Sequence, residues 1–149
     1  MSQPSVSVII PAYNAQSTIA RALQSVADQT FQATEVIVID DASTDNTIEK
    51  VVEYSKISKV TIQLLHSDRN TGPGSARNRG WDISSGEFIA FLDADDVWHP
   101  RKLEIQVREM QTNSSFVMSC HERIVSRSHK FPSFDQSNVL TRELGLNDF

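Results

Sequence analysis

Apolar positions along this chain fall into short runs separated by polar turns, and the spacing within each run predicts an element. Residues 6–11, Val-Ser-Val-Ile-Ile-Pro, are almost wholly apolar and rich in β-branched side chains, and residues 35–40 and 87–93 repeat the pattern. Strands buried on both faces read this way, so three central strands are expected there. Between the first two, Ile19, Ala22, Leu23 and Val26 recur at helical spacing up to Gln29, with Ser17 placed as N-cap. Residues 46–56 put Ile48, Val51 and Val52 on one helical face, and residues 60–65 alternate and then run apolar, as a further strand would. A Gly-Pro-Gly-Ser turn at 72–75 leads into a helix through Asp82. Pro100 precedes another over 101–111, carrying Leu103, Ile105, Val107 and Met110. A strand is expected over 116–125, then loop with a terminal helix in 139–146. Alternating strands and helices predict a mainly parallel α/β sheet, whose ligands sit beyond the carboxyl ends of its strands.

Those ends carry the candidate chemistry. The third apolar run ends abruptly in Asp93, Ala94, Asp95 and Asp96. Crowded carboxylates disfavour one another's ionised forms, so such a cluster needs a cation, a proton or ample water. Oxygen-only ligands favour Mg²⁺ or Mn²⁺. One acid could cap a turn ahead of Trp98; three exceed what capping requires. The first run ends in Pro11, Ala12, Tyr13 and Asn14, where proline is expected to stop ladder pairing and Tyr13 could stack on a planar base. The second ends in Asp40 and Asp41, followed by Ser43, Thr44 and Asp45. Asp45 reads as a helix cap, whereas the Asp41 carboxylate, an acceptor only, could take the imide proton of uracil. Arg69, Arg77 and Arg79 surround the glycine turn. Arg77 is retained as a ligand contact or as a partner to the acidic strand ends. His66, His99, His121 and His129 show no paired metal-ligand spacing, and Trp98 reads as packing.

Composition narrows the class. At 149 residues the chain fits one domain able to bury about 70% of its unfolded surface. With 39% hydrophobic residues, 22% charged and a net charge of -5, it does not resemble a sequence-independent nucleic-acid binder. A single cysteine, Cys120, makes an intrachain disulfide impossible and a reducing cytoplasm the natural compartment. No signal peptide is evident, and no stretch approaches the roughly 20 apolar residues of a membrane span.

Four segments in order, Ser-Val-Ile-Ile-Pro-Ala-Tyr-Asn at 7–14, Val-Ile-Asp-Asp-Ala-Ser-Thr-Asp at 38–45, Gly-Pro-Gly-Ser-Ala-Arg-Asn-Arg-Gly at 72–80 and Phe-Leu-Asp-Ala-Asp-Asp at 91–96, closely resemble the family 2 glycosyltransferases. The resemblance covers roughly the first 110 residues and implies a GT-A fold, a Rossmann-like α/β half presenting a nucleotide-sugar donor and a divalent metal. It implies a donor-contacting set of Pro11, Ala12, Tyr13, Asn14, Asp41, Arg77, Asp93 and Ala94, with Asp95 as metal ligand and Asp93 and Asp96 as further candidates. The implied reaction is transfer of a sugar from a nucleotide diphosphate, with uridine the preferred base, to an acceptor hydroxyl with inversion. The setting would be cell-surface polysaccharide or glycolipid synthesis, in the cytoplasm or peripherally at the inner membrane face, with a glycan or lipid-linked acceptor.

One departure stands out. After Asp96 the remaining acids are Glu104, Glu109, Glu122, Asp135, Glu143 and Asp148, and none lies in the family's later acidic motif, which supplies the base. The expectation is therefore one domain over 1–149 with donor motifs in 5–110 and the acceptor half largely absent: a truncated donor domain or a naturally short relative. The competing reading is a non-catalytic nucleotide-sugar-binding module. A nucleotidyltransferase would need a glycine-rich loop directly after the first strand, and a phospho-accepting signalling domain would need its acidic pair there; neither order is found.

Overall fold

The computed structural model describes residues 3–112 and 117–119. Strands and helices alternate: β1 (Val6–Ala12), α1 (Ile19–Ala27), β2 (Glu35–Asp40), α2 (Thr47–Ser55), β3 (Thr61–His66), α3 (Pro73–Ile83), β4 (Phe88–Phe91) and α4 (Lys102–Thr112). A first compact unit spans Met1–Ile105 and holds all four of these strands; a second, Gln106–Phe149, begins inside α4. Of the strand expected over 116–125, only 117–119 are described, in no regular element. The terminal helix expected in 139–146, with Cys120, His121 and His129, lies outside the described residues.

Among the described strands every pairing is parallel, and the strand order is β3-β2-β1-β4. The chain winds outward from β1 through β2 to β3, then crosses back to lay β4 on the other side of β1. The crossovers diverge between β1 and β4, and at such a switch point a parallel sheet opens a crevice beyond its carboxyl ends. β1 is buried along its whole length and β2 at every residue but its first, which explains their unbroken apolar runs. Ile9, Ile37 and Ile39 of these strands meet Ala76 of α3 in the core. α3 can approach closely because position 80 is glycine: a Cβ there would stand 2.4 Å from Cγ2 of Ile9. On α1, Ile19, Ala22, Leu23 and Val26 form the buried stripe that its periodicity predicts.

Four local expectations are corrected. The N-cap of α1 is Thr18, not Ser17, because the Ala15 carbonyl already accepts the amides of Thr18 (3.0 Å) and Ile19 (2.9 Å) and so sets the helix start. The helix ends at Ala27, which frees Gln29 for another task. Its buried side chain donates to the carbonyls of Ser25 (3.0 Å) and His99 (2.8 Å) and accepts the amide of Leu103 (2.9 Å). Pro11 does not stop the ladder; it pairs opposite Ile39 inside β1. β4 has already left β1 after Ile9, so no neighbour on that side requires the N–H that proline lacks. Finally, β4 is not central: among the described strands it lies at the sheet margin, half-buried, with Phe91 38% exposed and 6.0 Å from the Trp81 ring.

Candidate functional site

Two loops above the carboxyl ends of β1 and β2 are stitched together by side chains the sequence placed near a ligand. Tyr13 projects into solvent. Asn14, in the left-handed region at φ 49°, donates its amide to Ser43 Oγ (2.9 Å) while its Oδ1 accepts from the amide (2.8 Å) and hydroxyl (3.3 Å) of Thr44. Gln16 and Asp45 continue the seam: Asp45 Oδ2 accepts the Gln16 amide at 3.1 Å, and Gln16 Oε1 accepts the Asn46 amide at 3.2 Å. The capping role expected of Asp45 is fulfilled one residue out, since Asn46 is the N-cap and Asp45 Oδ1 accepts the Thr47 amide (3.0 Å) and hydroxyl (2.5 Å). Burial works to raise the Asp45 carboxyl, but the hydrogen bonds from Thr47 and Gln16 outweigh it and hold the group below its ordinary value.

The β2–α2 turn passes through Ala42 at φ 64°. For an L-residue with a Cβ this conformation costs about 1–2 kcal/mol, against about 0.5–1 kcal/mol for the extra freedom of glycine. Ala42→Gly is therefore expected to stabilise the chain by about 0.5–1 kcal/mol. A higher urea midpoint checks this; a lower one would show that the turn is not strained.

Asp40 and Asp41 diverge. Asp40, fully buried at the end of β2, accepts the Ser43 amide (3.1 Å) and meets His66 Nδ1 (2.8 Å) through Oδ2, while its Oδ1 is buried with no hydrogen-bond partner. Asp41, 3% exposed, accepts three donors from the loop before α3. The Thr71 amide lies 3.0 Å from both oxygens, the Thr71 hydroxyl 3.0 Å from Oδ1 and the Gly72 amide 2.7 Å from Oδ2. Burial raises this carboxyl, yet the bonds from Thr71 and Gly72, with the Arg79 charge, bring it below its ordinary value. Gly72, at φ 87°, is the N-cap of α3, so Asp41 fixes how that helix begins. Arg79 also bonds the hydroxyl of buried Ser67.

At the other flank, Arg77 Nη2 reaches Asp93 Oδ1 at 2.5 Å, the second of the two roles left open for it. Ala94 is buried, and the Asp96 amide donates to the Asp93 carbonyl at 3.0 Å, so the chain turns immediately after β4. Arg21 of α1 donates to the Asp95 carbonyl at 3.1 Å. Asp93 and Asp95 are exposed, and among the described residues no three His, Cys, Asp or Glu side chains close on a point as a metal-ligand set. Two exposed carboxylates in one turn could supply one or two oxygen ligands to a hard divalent cation.

Beyond Asp96 the chain runs back along α1. The Trp98 amide meets Ser25 Oγ at 3.1 Å, Gln29 clasps His99 and Leu103, and Thr30 donates to the Pro100 carbonyl at 2.8 Å. Trp98 is buried, as its packing role required. Lys102 stands 3.7 Å over the Trp98 ring, and burial pushes its amine down to about 7. Sequence reasoning missed His66 and Gln29. His66 had a usable signal, because it closes its strand as Asp40 closes the neighbouring one.

The family model for glycosyl transferase family 2 matches residues 7–147. The chain is 44% identical over 124 residues to an Escherichia coli protein named UDP-Glc:alpha-D-GlcNAc-diphosphoundecaprenol beta-1,3-glucosyltransferase WfgD, covering 83% of this chain and 48% of that protein. It is 40% identical over 112 residues to the putative teichuronic acid biosynthesis glycosyltransferase TuaG of Bacillus subtilis, covering 75% and 44%. Among solved structures, S. aureus TarS 1-349 in complex with UDP superposes with a TM-score of 0.66 at 35% identity, over 72% of this chain and 32% of that one. Mannosyltransferase PcManGT from Pyrobaculum calidifontis, in complex with GDP-Man and Mn2+, gives a TM-score of 0.68 at 27% identity, over 75% and 33%. The chain thus spans about half or less of the length of these curated relatives. Its parallel sheet flanked by helices is the GT-A arrangement that the sequence resemblance implied.

Proposed function

This chain belongs to glycosyl transferase family 2, and from that membership we propose that it binds a nucleotide-diphosphate sugar, UDP-linked by preference, as the donor half of an enzyme that passes the sugar to an acceptor hydroxyl with inversion. The observation that carries the reading is the placement of Asp93, Asp95 and Asp96 after β4 and of Tyr13 and Asp41 after β1 and β2, on the two sides of the switch point. Tyr13 offers a stacking face for the base and Asp41 an acceptor for its imide. Pro11, Ala12, Asn14 and Ala94 shape the floor between them, and Arg77, poised on Asp93, turns to the donor. Asp95, with Asp93 and Asp96 nearby, would hold Mn²⁺ or Mg²⁺. That ion supplies neutralisation of charge on the leaving diphosphate. A base must deprotonate the acceptor hydroxyl, and we assign that role to no residue described. The named activities of WfgD and TuaG favour polysaccharide or lipid-linked glycan synthesis as the setting. No described helix is long and apolar enough to cross a membrane. Because the chain covers 48% of WfgD, donor binding without turnover by this chain alone is the second reading.

Calorimetric titration with UDP, with and without Mn²⁺ and with GDP as base control, tests the proposal. UDP binding that requires Mn²⁺ and weakens about tenfold in Asp95→Asn is expected, the loss of roughly one charge-assisted contact. A folded sample that binds neither nucleotide would overturn the donor-site reading, and unchanged metal dependence in Asp95→Asn would remove Asp95 from it.

A further inference from the structure

The Asp40–His66 pair lies outside the role set just described, although both residues end strands at the same sheet face. His66 stands directly opposite Asp40 in the parallel register of β2 and β3. Its Nδ1 lies 2.8 Å from Oδ2 of a carboxylate that is 0% exposed, while the His66 side chain is 49% exposed. Asp40 cannot donate as a carboxylate, so the Nδ1 of His66 carries the hydrogen of this bond. The second ring nitrogen, Nε2, lies across the ring from Nδ1 on this half-exposed side chain. A buried carboxylate that fixes both tautomer and ring orientation is the way proteins prepare an imidazole for a ligand. A surface histidine kept only for solubility needs no such anchor.

The sheet order states which part of a ligand this imidazole would meet. β3 is three strand intervals from β4, about 14 Å at ordinary strand spacing. A donor whose diphosphate lies by Asp93 and Asp95 therefore extends away from that flank, past Tyr13 just beyond β1, toward the ends of β2 and β3. Base chemistry belongs at that end. Asp41 is the acceptor already placed there, but its two oxygens accept from three protein donors, close to the four positions a carboxylate offers. His66 Nε2 has no protein partner among the described residues. We infer that His66, oriented by Asp40, is a specificity-determining contact to the donor's nucleobase: its Nε2, an acceptor when Nδ1 carries the hydrogen, shares the single imide N–H of the base with Asp41. This rests on the donor-site reading above.

The test uses His66→Asn in the full 149-residue chain. The asparagine amide nitrogen falls near the place of Nδ1, so it retains a donor for Asp40 while removing the outward nitrogen. With Mn²⁺ present, affinity for UDP should fall about five- to tenfold, the worth of one hydrogen bond. Affinity for inorganic pyrophosphate, which has no base, should not change. His66→Gln, which reaches outward but loses the fixed orientation, should recover part of the UDP loss. Undiminished UDP affinity in His66→Asn overturns the inference. So does an equal fall for UDP and pyrophosphate, which would mark His66 as structural. If His66→Asn proves unfolded, the comparison falls to His66→Gln, where UDP weakened no more than pyrophosphate is again the overturning result. Failure of the unaltered chain to bind UDP at all would instead overturn the donor-site reading, and this contact with it.

Discussion

Gly86→Ala is expected to cost about 3 kcal/mol of stability, seen as a lower urea midpoint at an unchanged slope. A Cβ at this position would stand 2.5 Å from the backbone nitrogen of Ser7, 2.7 Å from its Oγ and 2.9 Å from the carbonyl of Phe88. Two of those three atoms are main chain and cannot swing aside. Position 86 is also the anchor of a polar seam under the sheet. Its amide donates to Ser7 Oγ at 2.8 Å, Ser7 Oγ donates to Glu35 Oε1 at 2.6 Å, and the same oxygen accepts the amide (2.9 Å) and hydroxyl (2.7 Å) of Ser85. Burial raises the Glu35 carboxyl, but these bonds prevail and hold it below its ordinary value. Pushing β4 away from β1 would relieve the clash only by stretching the seam. Gly74→Ala is the matched control: nothing lies within 4 Å of a Cβ there, and alanine suits a helix better. Equal midpoints for the two variants would mean that β4 shifts freely.

Asp41→Asn is expected to lose about 2–3 kcal/mol at neutral pH, because the amide cannot accept all that the carboxylate does and gives up charge-assisted hydrogen bonds from Thr71 and Gly72. The deficit has a pH signature. The folded Asp41 carboxyl lies below its ordinary 3.8, so between those two values the unfolded chain binds more protons than the folded one. Its stabilisation is complete above the unfolded value and disappears as pH falls through the lowered one. Urea midpoints measured from pH 7 to pH 3 should therefore converge between the variant and the unaltered chain in acid. Asp45 and Glu35, whose carboxyls are lowered too, keep an acid limb in both proteins. A deficit that stays constant with pH would mean that Asp41 contributes shape and not charge.

Most of the element pattern was readable because burial imposes it. The unbroken apolar runs of β1 and β2 reflect neighbours on both faces, and the stripe at Ile19, Ala22, Leu23 and Val26 is the face α1 turns to the sheet. Strand order is not a local property, and nothing within residues 87–93 records that β4 lies at the margin of the described sheet. Pro11 was misjudged for the same reason: whether a missing N–H matters depends on a neighbour that ended two residues earlier. At the site, the residue types at the strand ends were legible, whereas their bonds were not. The partners of Asp41 are Thr71 and Gly72, some thirty residues on, and Asn14 meets Ser43 and Thr44 across two loops. Only the Arg77–Asp93 pairing was within reach of charge logic.

The clasp at the far end of α1 has a mechanical consequence. Gln29 and Thr30 grip the chain at His99, Pro100 and Leu103, after it has left the acidic turn and as α4 begins. A pull entering along α4 would load α1, and through it the sheet, before it reached residues 93–96. The clasp works as a cable strain relief: tension is taken by the housing, and the terminals stay in register.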